Sequence, residues 1–208
     1  MKFLVILSLV LSSFTLVVNY NDKRDIAVEV TAPHVHSLTS IDPFTQEVYK
    51  VCSSFAVEHL GRIFHITNKH CCAAADMYFE GELKKPIRIS KTNDLCALEH
   101  NLTQGLQLAE KDAEVTNKIY ILGYPKGNDL TITEGRVSRK EFFVYGENMT
   151  LTTAKTDRGG SGGVVTNTAG EVVGVLTIGD QRGNGGFVTL PNLKIFLEEI
   201  FFNEILPK

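Results

Sequence analysis

The sequence predicts an all-β fold with one C-terminal helix, and three observations carry that prediction. Short segments rich in Val, Ile, Thr and Phe recur along the chain, separated by turn signals. Seventeen glycines stand against six prolines, and tryptophan is absent. Amphipathic helical spacing does not appear until Leu193. At 208 residues the chain buries a real core, as one domain or as two small joined ones.

The N-terminus stands outside the fold. Lys2 precedes an uninterrupted apolar or hydroxyl run from Phe3 to Val18, followed by the polar stretch Asn19 to Asp25, which reads as a targeting segment. The run is slightly long for a signal-peptide core and short of the roughly 20 residues of a spanning helix. No clean A-x-A site follows, with Ser13 and Thr15 as weak substitutes. Residues 1–20 are therefore a signal peptide or an N-terminal membrane anchor, with membrane attachment through residues 3–18 in the second case; both export the remainder.

From Glu47 to Cys71 the pattern is strand, turn, strand: "VYKVCSSFAVE", the turn "HLG", then "RIFHITNKHC". The second strand alternates Ile63, His65 and Thr67 against Phe64 and Ile66, so His70 falls where the chain leaves the sheet. "MYFEGEL" and "IRISKTNDLCALE" are strand candidates around the loop that carries Asp94, and Asn101 to Glu114 reads as a connection. A second strand-rich half begins near Asn117 with "KIYILGYP", "LTITEGRVSR", "EFFVYGE" and "MTLTTA". In "GGVVTNTAGEVVGVLTIG" the "NTAG" carries hairpin-turn residues, and "GGFVTLP" supplies a last strand. Leu193, Ile195, Phe196, Ile200, Phe201 and Ile205 then repeat at helical spacing, with Asn192 as N-cap of a helix over 193–206. Each half has enough short strands for a small barrel.

The formal net charge of −3, without a dense basic run, leaves no electrostatic footprint for nucleic acid. Cys52, Cys71, Cys72 and Cys96 are an even set in an exported chain, which favours disulfides, and three pairings exist. A zinc site using these thiolates with His65 or His70 is disfavoured, since adjacent cysteines do not match the usual ligand spacing.

Serine-based hydrolysis needs a hydroxyl, an imidazole to take its proton, a carboxylate to orient that imidazole, and N–H donors for the oxyanion. His70, Asp94 and Ser161 occur in that order. Singly, each has an ordinary reading: a packing histidine at a strand end, a turn-forming aspartate in "TNDL", a serine in a flexible glycine run. Their joint occurrence changes the estimate.

"ITNKHCC" resembles the T-A-x-H-C segment of the trypsin/chymotrypsin-like serine proteases, "NDLCALE" resembles their D-L/I-A-L segment, and "RGGSGGVV" resembles G-D/N-S-G-G-P. "ILGYPKGNDLTITEGRVSRKE" is similar to a run of the bacterial Deg/Htr type, and "GEVVGVLTIG" and "GGFVTLPNLKIFLEEIF" resemble the closing strands and helix. The resemblance spans about residues 45–205. It implies two Greek-key β-barrels of chymotrypsin-like architecture, over 25–114 (His70, Asp94) and 115–208 (Ser161 and the helix), with the active site in the cleft between them. It implies a serine endopeptidase acting on polypeptides through an acyl-enzyme, with no metal or organic cofactor. Ser161 is the expected nucleophile, His70 the base and Asp94 its orienter, with Gly159 and Ser161 as oxyanion-hole donors. The family's histidine-loop disulfide corresponds to Cys52–Cys71, leaving Cys72–Cys96 to tie the histidine segment to that of Asp94.

Gly160 stands where digestive-type members carry an aspartate that pairs with a newly released N-terminus, so that zymogen switch is not expected, and the glycine adds flexibility beside the nucleophile. No PDZ-like segment follows the helix, and oligomeric state is left open. The matching specificity pocket draws on Lys155, Thr156, Asp157, Thr177, Gly179 and Gly186. Lys155 inward favours an acidic side chain, Lys155 outward a small or apolar one, and Asp157 a basic one; solvated loop charges are an equal reading. Asn101 and Asn148 head glycosylation sequons, relevant only in a eukaryotic secretory pathway. The alternatives are a catalytically silent binding module, which an intact triad disfavours, and an esterase with the same triad.

Overall fold

The computed structural model describes residues 27–42, 44–45, 47–73, 76–127, 129–144, 146–179 and 184–205. The expected signal or anchor at 1–20 lies outside the described residues, and no helix among them is long and apolar enough to cross a membrane. The chain forms β1 (Val35–Ile41), β2 (Val48–His59), β3 (Arg62–Thr67), the short α1 (Lys69–Cys72), β4 (Met77–Phe79), β5 (Glu82–Lys84), β6 (Pro86–Ile89), β7 (Cys96–Leu98) and β8 (Leu106–Gln107). Then follow β9 (Lys118–Gly123), β10 (Thr131–Val144), β11 (Glu147–Lys155), β12 (Val164–Thr166), β13 (Val172–Gly179), β14 (Asn184–Thr189) and α2 (Leu190–Ile205).

The architecture is the expected pair of β-barrels with a C-terminal helix. In the first half the strands run β5-β4-β1-β2-β3-β7-β6, with β8 paired to β2. In the second, β10-β11-β14-β13-β12-β9 close a barrel, leaving no sheet edge. Its chain leaves β11 and enters β12 with two strands, β14 and β13, lying between them, a Greek-key crossing. One apolar cluster spans both halves: Phe55, Val57 and Ile66 pack with Leu122, Val164, Val175 and Val188 and with Leu193, Phe196 and Leu197 of α2. Burying such side chains contributes about 1.5–3 kcal/mol each, so the halves are fastened along the wall from which the site is built.

Several elements differ from the sequence reading. β1 was not anticipated, because "VHSLTSI" shows mostly polar residues; its register on β2 nonetheless puts Leu38 opposite Cys52 in the first-barrel core. β8 was read as connection, and its two residues pair in parallel with Val57 and Glu58. The two expected strands around Arg139 are one long β10, with register shifts in its pairing to β11. The helix begins at Leu190, not Leu193, since Pro191 fits a first turn where its missing N–H has no partner to lose. Its buried face uses Leu190, Leu193, Phe196, Leu197 and Ile200, while Ile195 is exposed.

The alternation expected of β3 is also overridden. Phe64, His65, Ile66 and Thr67 are all buried, because the barrel packs both faces of the strand. His65 has no exposed surface. Its Nε2 lies 2.7 Å from Ser54 Oγ, and its ring meets those of His36, Phe79 and His100. Burial pushes His65 down to about 3 and His36 down to about 4.

Candidate active site

α1 begins directly after β3 and carries His70 out of the sheet. Cys71 and Cys72 follow on the same turn. Cys52 on β2 bonds Cys71, and Cys72 bonds Cys96 at the start of β7. The histidine turn is thereby crosslinked to β2 and to β7, the strand that follows Asp94. Cys52, His70 and Cys71 group their ligand atoms closely, but both thiols are spent in the disulfide, so the set does not fit a metal.

Asp94 and His70 meet through two bonds. Asp94 Oδ1 accepts the His70 backbone N–H at 2.9 Å, and Oδ2 lies 2.6 Å from His70 Nδ1. The first bond fixes the carboxylate plane, and the second places an acceptor at Nδ1, which makes that nitrogen the protonated one and leaves Nε2 with its lone pair. Asp94 is 7 % exposed, whereas the His70 side chain is 45 % exposed, so the ring's outer edge faces solvent. Around them lies a cavity of about 410 Å³ lined by Lys69, Ala73, Glu147, Met149, Thr177 and Ile178.

The loop that carries Ser161 links β11 to β12. Ser161 Oγ donates to the Thr177 carbonyl at 3.2 Å. Thr177 Oγ1 in turn accepts from Asn68 Nδ2 at 3.1 Å, and the same Asn68 amide donates to the Asp94 carbonyl at 2.8 Å. Thr177 therefore connects the serine to the Asp94–His70 pair. The glycines here are required by geometry. Gly159 has φ +92°, and a Cβ there meets Lys126 N at 2.6 Å; Gly162 has φ +84°, and a Cβ there collides with the Ser53 carbonyl.

Two peptide planes in this loop are fixed from behind. The Arg158 carbonyl accepts the Lys126 N–H at 2.7 Å, and the Gly160 carbonyl accepts the Gly163 N–H at 2.9 Å. In a trans peptide the N–H points opposite to the C=O, so the N–H groups of Gly159 and Ser161 face the other way. Among the described residues neither is taken by a hydrogen bond. Gly160 is buried, and its own N–H donates to Asp157 O at 3.1 Å, so the flexibility expected of it is restrained on both sides.

The six residues of the expected specificity pocket do not share one cavity. Lys155, Thr156 and Asp157 line a space of about 530 Å³ with Ile121, Lys126 and Leu176, whereas Thr177 lines the cavity beside His70. Lys155 is exposed, and Asp157 is bound by Lys126 at 2.8 Å, which with the Arg158 N–H holds its carboxyl below the usual range. A Cβ on Gly179 meets Thr156 Oγ1 at 2.7 Å, so Thr156 sits against that wall, while a Cβ on Gly186 meets Ile178 instead.

Three residues that the sequence reading passed over join the site. Ser53 donates its N–H to Ser161 O at 2.7 Å. Its hydroxyl donates to Gly159 O at 2.9 Å and accepts the Tyr124 N–H at 2.8 Å. The only sequence signal is a Ser-Ser pair inside an apolar strand. Asn68 is buried, and its role follows from standing two residues before His70. Glu147 Oε2 accepts the Asp94 N–H at 2.7 Å, from the other barrel. Burial, with the charge of Asp94, pushes its carboxyl above the usual glutamate range. No local pattern announces it.

Residues 52–175 match the family model of the trypsin-like peptidase domain. Serine endoprotease DegS of Escherichia coli K12 is 27 % identical over 154 residues, covering 67 % of this chain and 43 % of DegS. DegS of Salmonella typhimurium is 26 % identical over 179 residues, covering 77 % and 50 %. The chain thus spans half or less of the length of these curated relatives. Among solved structures, the serine endoprotease from Yersinia pestis superposes with TM-score 0.71 at 20 % identity, covering 87 % of this chain and 67 % of that one. The active form of the Rv3671c protease from M. tuberculosis gives 0.69 at 22 % identity, covering 84 % and 83 %. Both likenesses concern the fold.

Proposed function

Because this chain belongs to the trypsin-like peptidase family, we propose that it is a serine endopeptidase that cleaves polypeptides through an acyl-enzyme on Ser161. The observation that carries the proposal is the Asp94–His70 pair, bonded at 2.6 Å and 2.9 Å and joined through Asn68 and Thr177 to the hydroxyl of Ser161.

The steps follow from these contacts. Asp94 holds the Nδ1 proton of His70, so Nε2 is the base. The Ser161 hydroxyl turns from the Thr177 carbonyl toward Nε2, gives up its proton and attacks the scissile carbonyl. The developing oxyanion is met by the N–H groups of Gly159 and Ser161, whose peptides are held from behind by Lys126 and Gly163. Losing one such donor typically raises the barrier by about 3 kcal/mol. The imidazolium then protonates the leaving amine, and water hydrolyses the ester by the reverse sequence. The first barrel supplies base and orienter and the second supplies nucleophile and donors, which is the division proposed for 25–114 and 115–208. The apolar run at 3–18 and the two disulfides support a location outside the cytoplasm.

The test is labelling of the folded chain with a fluorophosphonate probe. Wild type is expected to label and Ser161→Ala to be silent. Folded wild type that fails to label would overturn the proposal in favour of a binding module. Hydrolysis of a peptide library by the same preparation separates peptidase from esterase.

A further inference from the structure

Asp94 is held at every polar atom, but its holders come from different parts of the chain. His70 takes both carboxylate oxygens, and Asn68 takes the carbonyl. All three groups belong to the first barrel. The remaining group, the amide N–H, donates 2.7 Å to Glu147 Oε2, from the first residue of β11 in the second barrel. Glu147 pairs with Val144 at the closed end of the β10–β11 hairpin, so the hairpin reaches across the cleft to the aspartate loop.

The choice of side chain is informative. A neutral acceptor satisfies one N–H, whereas a carboxylate does so more strongly and adds a negative charge. Three charged or titratable groups face it: Asp94, Lys69 and His70. Lys69 donates to Ser90 O at 3.3 Å and lines the same cavity as Glu147 and His70. An anion on this side favours the imidazolium that forms when His70 accepts the serine proton.

We propose that Glu147 is a positioning residue for the hydrolytic reaction: it fixes the Asp94 backbone from the opposite barrel and supplies a second negative charge facing His70. The inference rests on the reading of Ser161, His70 and Asp94 given above. It assigns the β10–β11 hairpin a part in catalysis beyond its place in the barrel.

The experiment compares full-length wild type, Glu147→Gln and Glu147→Ala, by fluorophosphonate labelling rate and by kcat and KM for peptide hydrolysis across pH 5–9. Glu147→Ala is expected to slow labelling and kcat about tenfold with KM little changed, the worth of one hydrogen bond to a charged acceptor. Glu147→Gln keeps the acceptor and restores most of the rate at the alkaline plateau. Its acidic limb moves to lower pH, because the anion facing the imidazole is gone. Wild-type rates in Glu147→Ala at every pH would overturn the proposal. So would equal losses in both variants with an unmoved acidic limb, the mark of a merely structural role. Amide hydrogen exchange at Asp94, measured in the Ser161→Ala background, reads the contact independently of activity. Faster exchange is expected in Glu147→Ala, and unchanged exchange counts against the clamp. An unlabelled wild type sinks the peptidase reading instead, and the exchange result still decides the contact.

Discussion

Acidification should weaken this protein well above the range where ordinary carboxylates titrate, and the cause is the buried histidine group of the first barrel. His65 is held down to about 3 and His36 down to about 4, against an ordinary 6.5, chiefly by burial. The native state therefore favours neutral imidazole, while the unfolded chain binds a proton as pH falls through 6.5. A depressed folded value means stability that is present above the unfolded value and lost below it. Between pH 7.5 and pH 5 a fully buried histidine with such a shift costs about 2 kcal/mol. His36 is only partly buried, and solvent screening reduces its share to about 1 kcal/mol. His34 and His59 are shifted in the same direction. Glu147 opposes the trend, since its raised value makes its contribution grow as pH falls. The expected net loss is about 3 kcal/mol, a large part of a typical 5–15 kcal/mol stability. Urea unfolding of Ser161→Ala, which guards against self-cleavage by the proposed mechanism, measures this across pH 7.5 to 5. His65→Leu in the same background should lose roughly two thirds of the acid sensitivity. Stability that is flat over this range, or full acid loss persisting in His65→Leu, would mean that the buried histidines do not set the acid response.

Two further outcomes follow from the contacts around Ser161 and His70. Ser53→Ala strips a partner from both Gly159 O and the Tyr124 N–H, a cost of about 1–3 kcal/mol for groups left unsatisfied. Denaturation midpoints should fall accordingly and fluorophosphonate labelling should slow, and neither would change if the hydroxyl is incidental. Replacing Cys72 and Cys96 together by serine opens the bond between the histidine turn and β7. Stability should drop by about 2–4 kcal/mol, and a double variant as resistant to urea as its parent would rule this out.

What the sequence disclosed about the site was the part written in local chemistry. His70 after a strand end, Asp94 in a turn and Ser161 among glycines each carry a recognisable neighbourhood, and the four cysteines sit where crosslinks brace the first two. Glycine at 159 was legible for the same reason, as a backbone demand that shows as a residue type. Ser53, Glu147 and the true surroundings of Thr156 were not legible, because each acts through a partner 23 to 108 residues away, on a different strand or barrel. β1 and β8 were missed on similar grounds: their apolar content is thin, and pairing with β2, not composition, makes them strands. His65 shows the limit of alternation, since a strand packed on both faces buries its polar positions as well.

Both disulfides lie between residues 52 and 96, while the loop bearing Ser161 is fastened to the first barrel by hydrogen bonds and shared apolar packing. The two sides of the cleft thus differ in the kind of fastening that survives heating. As temperature rises, the non-covalent side should come away first and His70, with Asp94, should remain assembled on its crosslinked frame. Loss of reactivity should then precede loss of the first barrel, and cooling should restore it so long as the bonds at Cys71 and Cys72 hold. Under reduction that order has no reason to persist, and the oxidation state of the surroundings would decide whether a heat shock is a pause or an end.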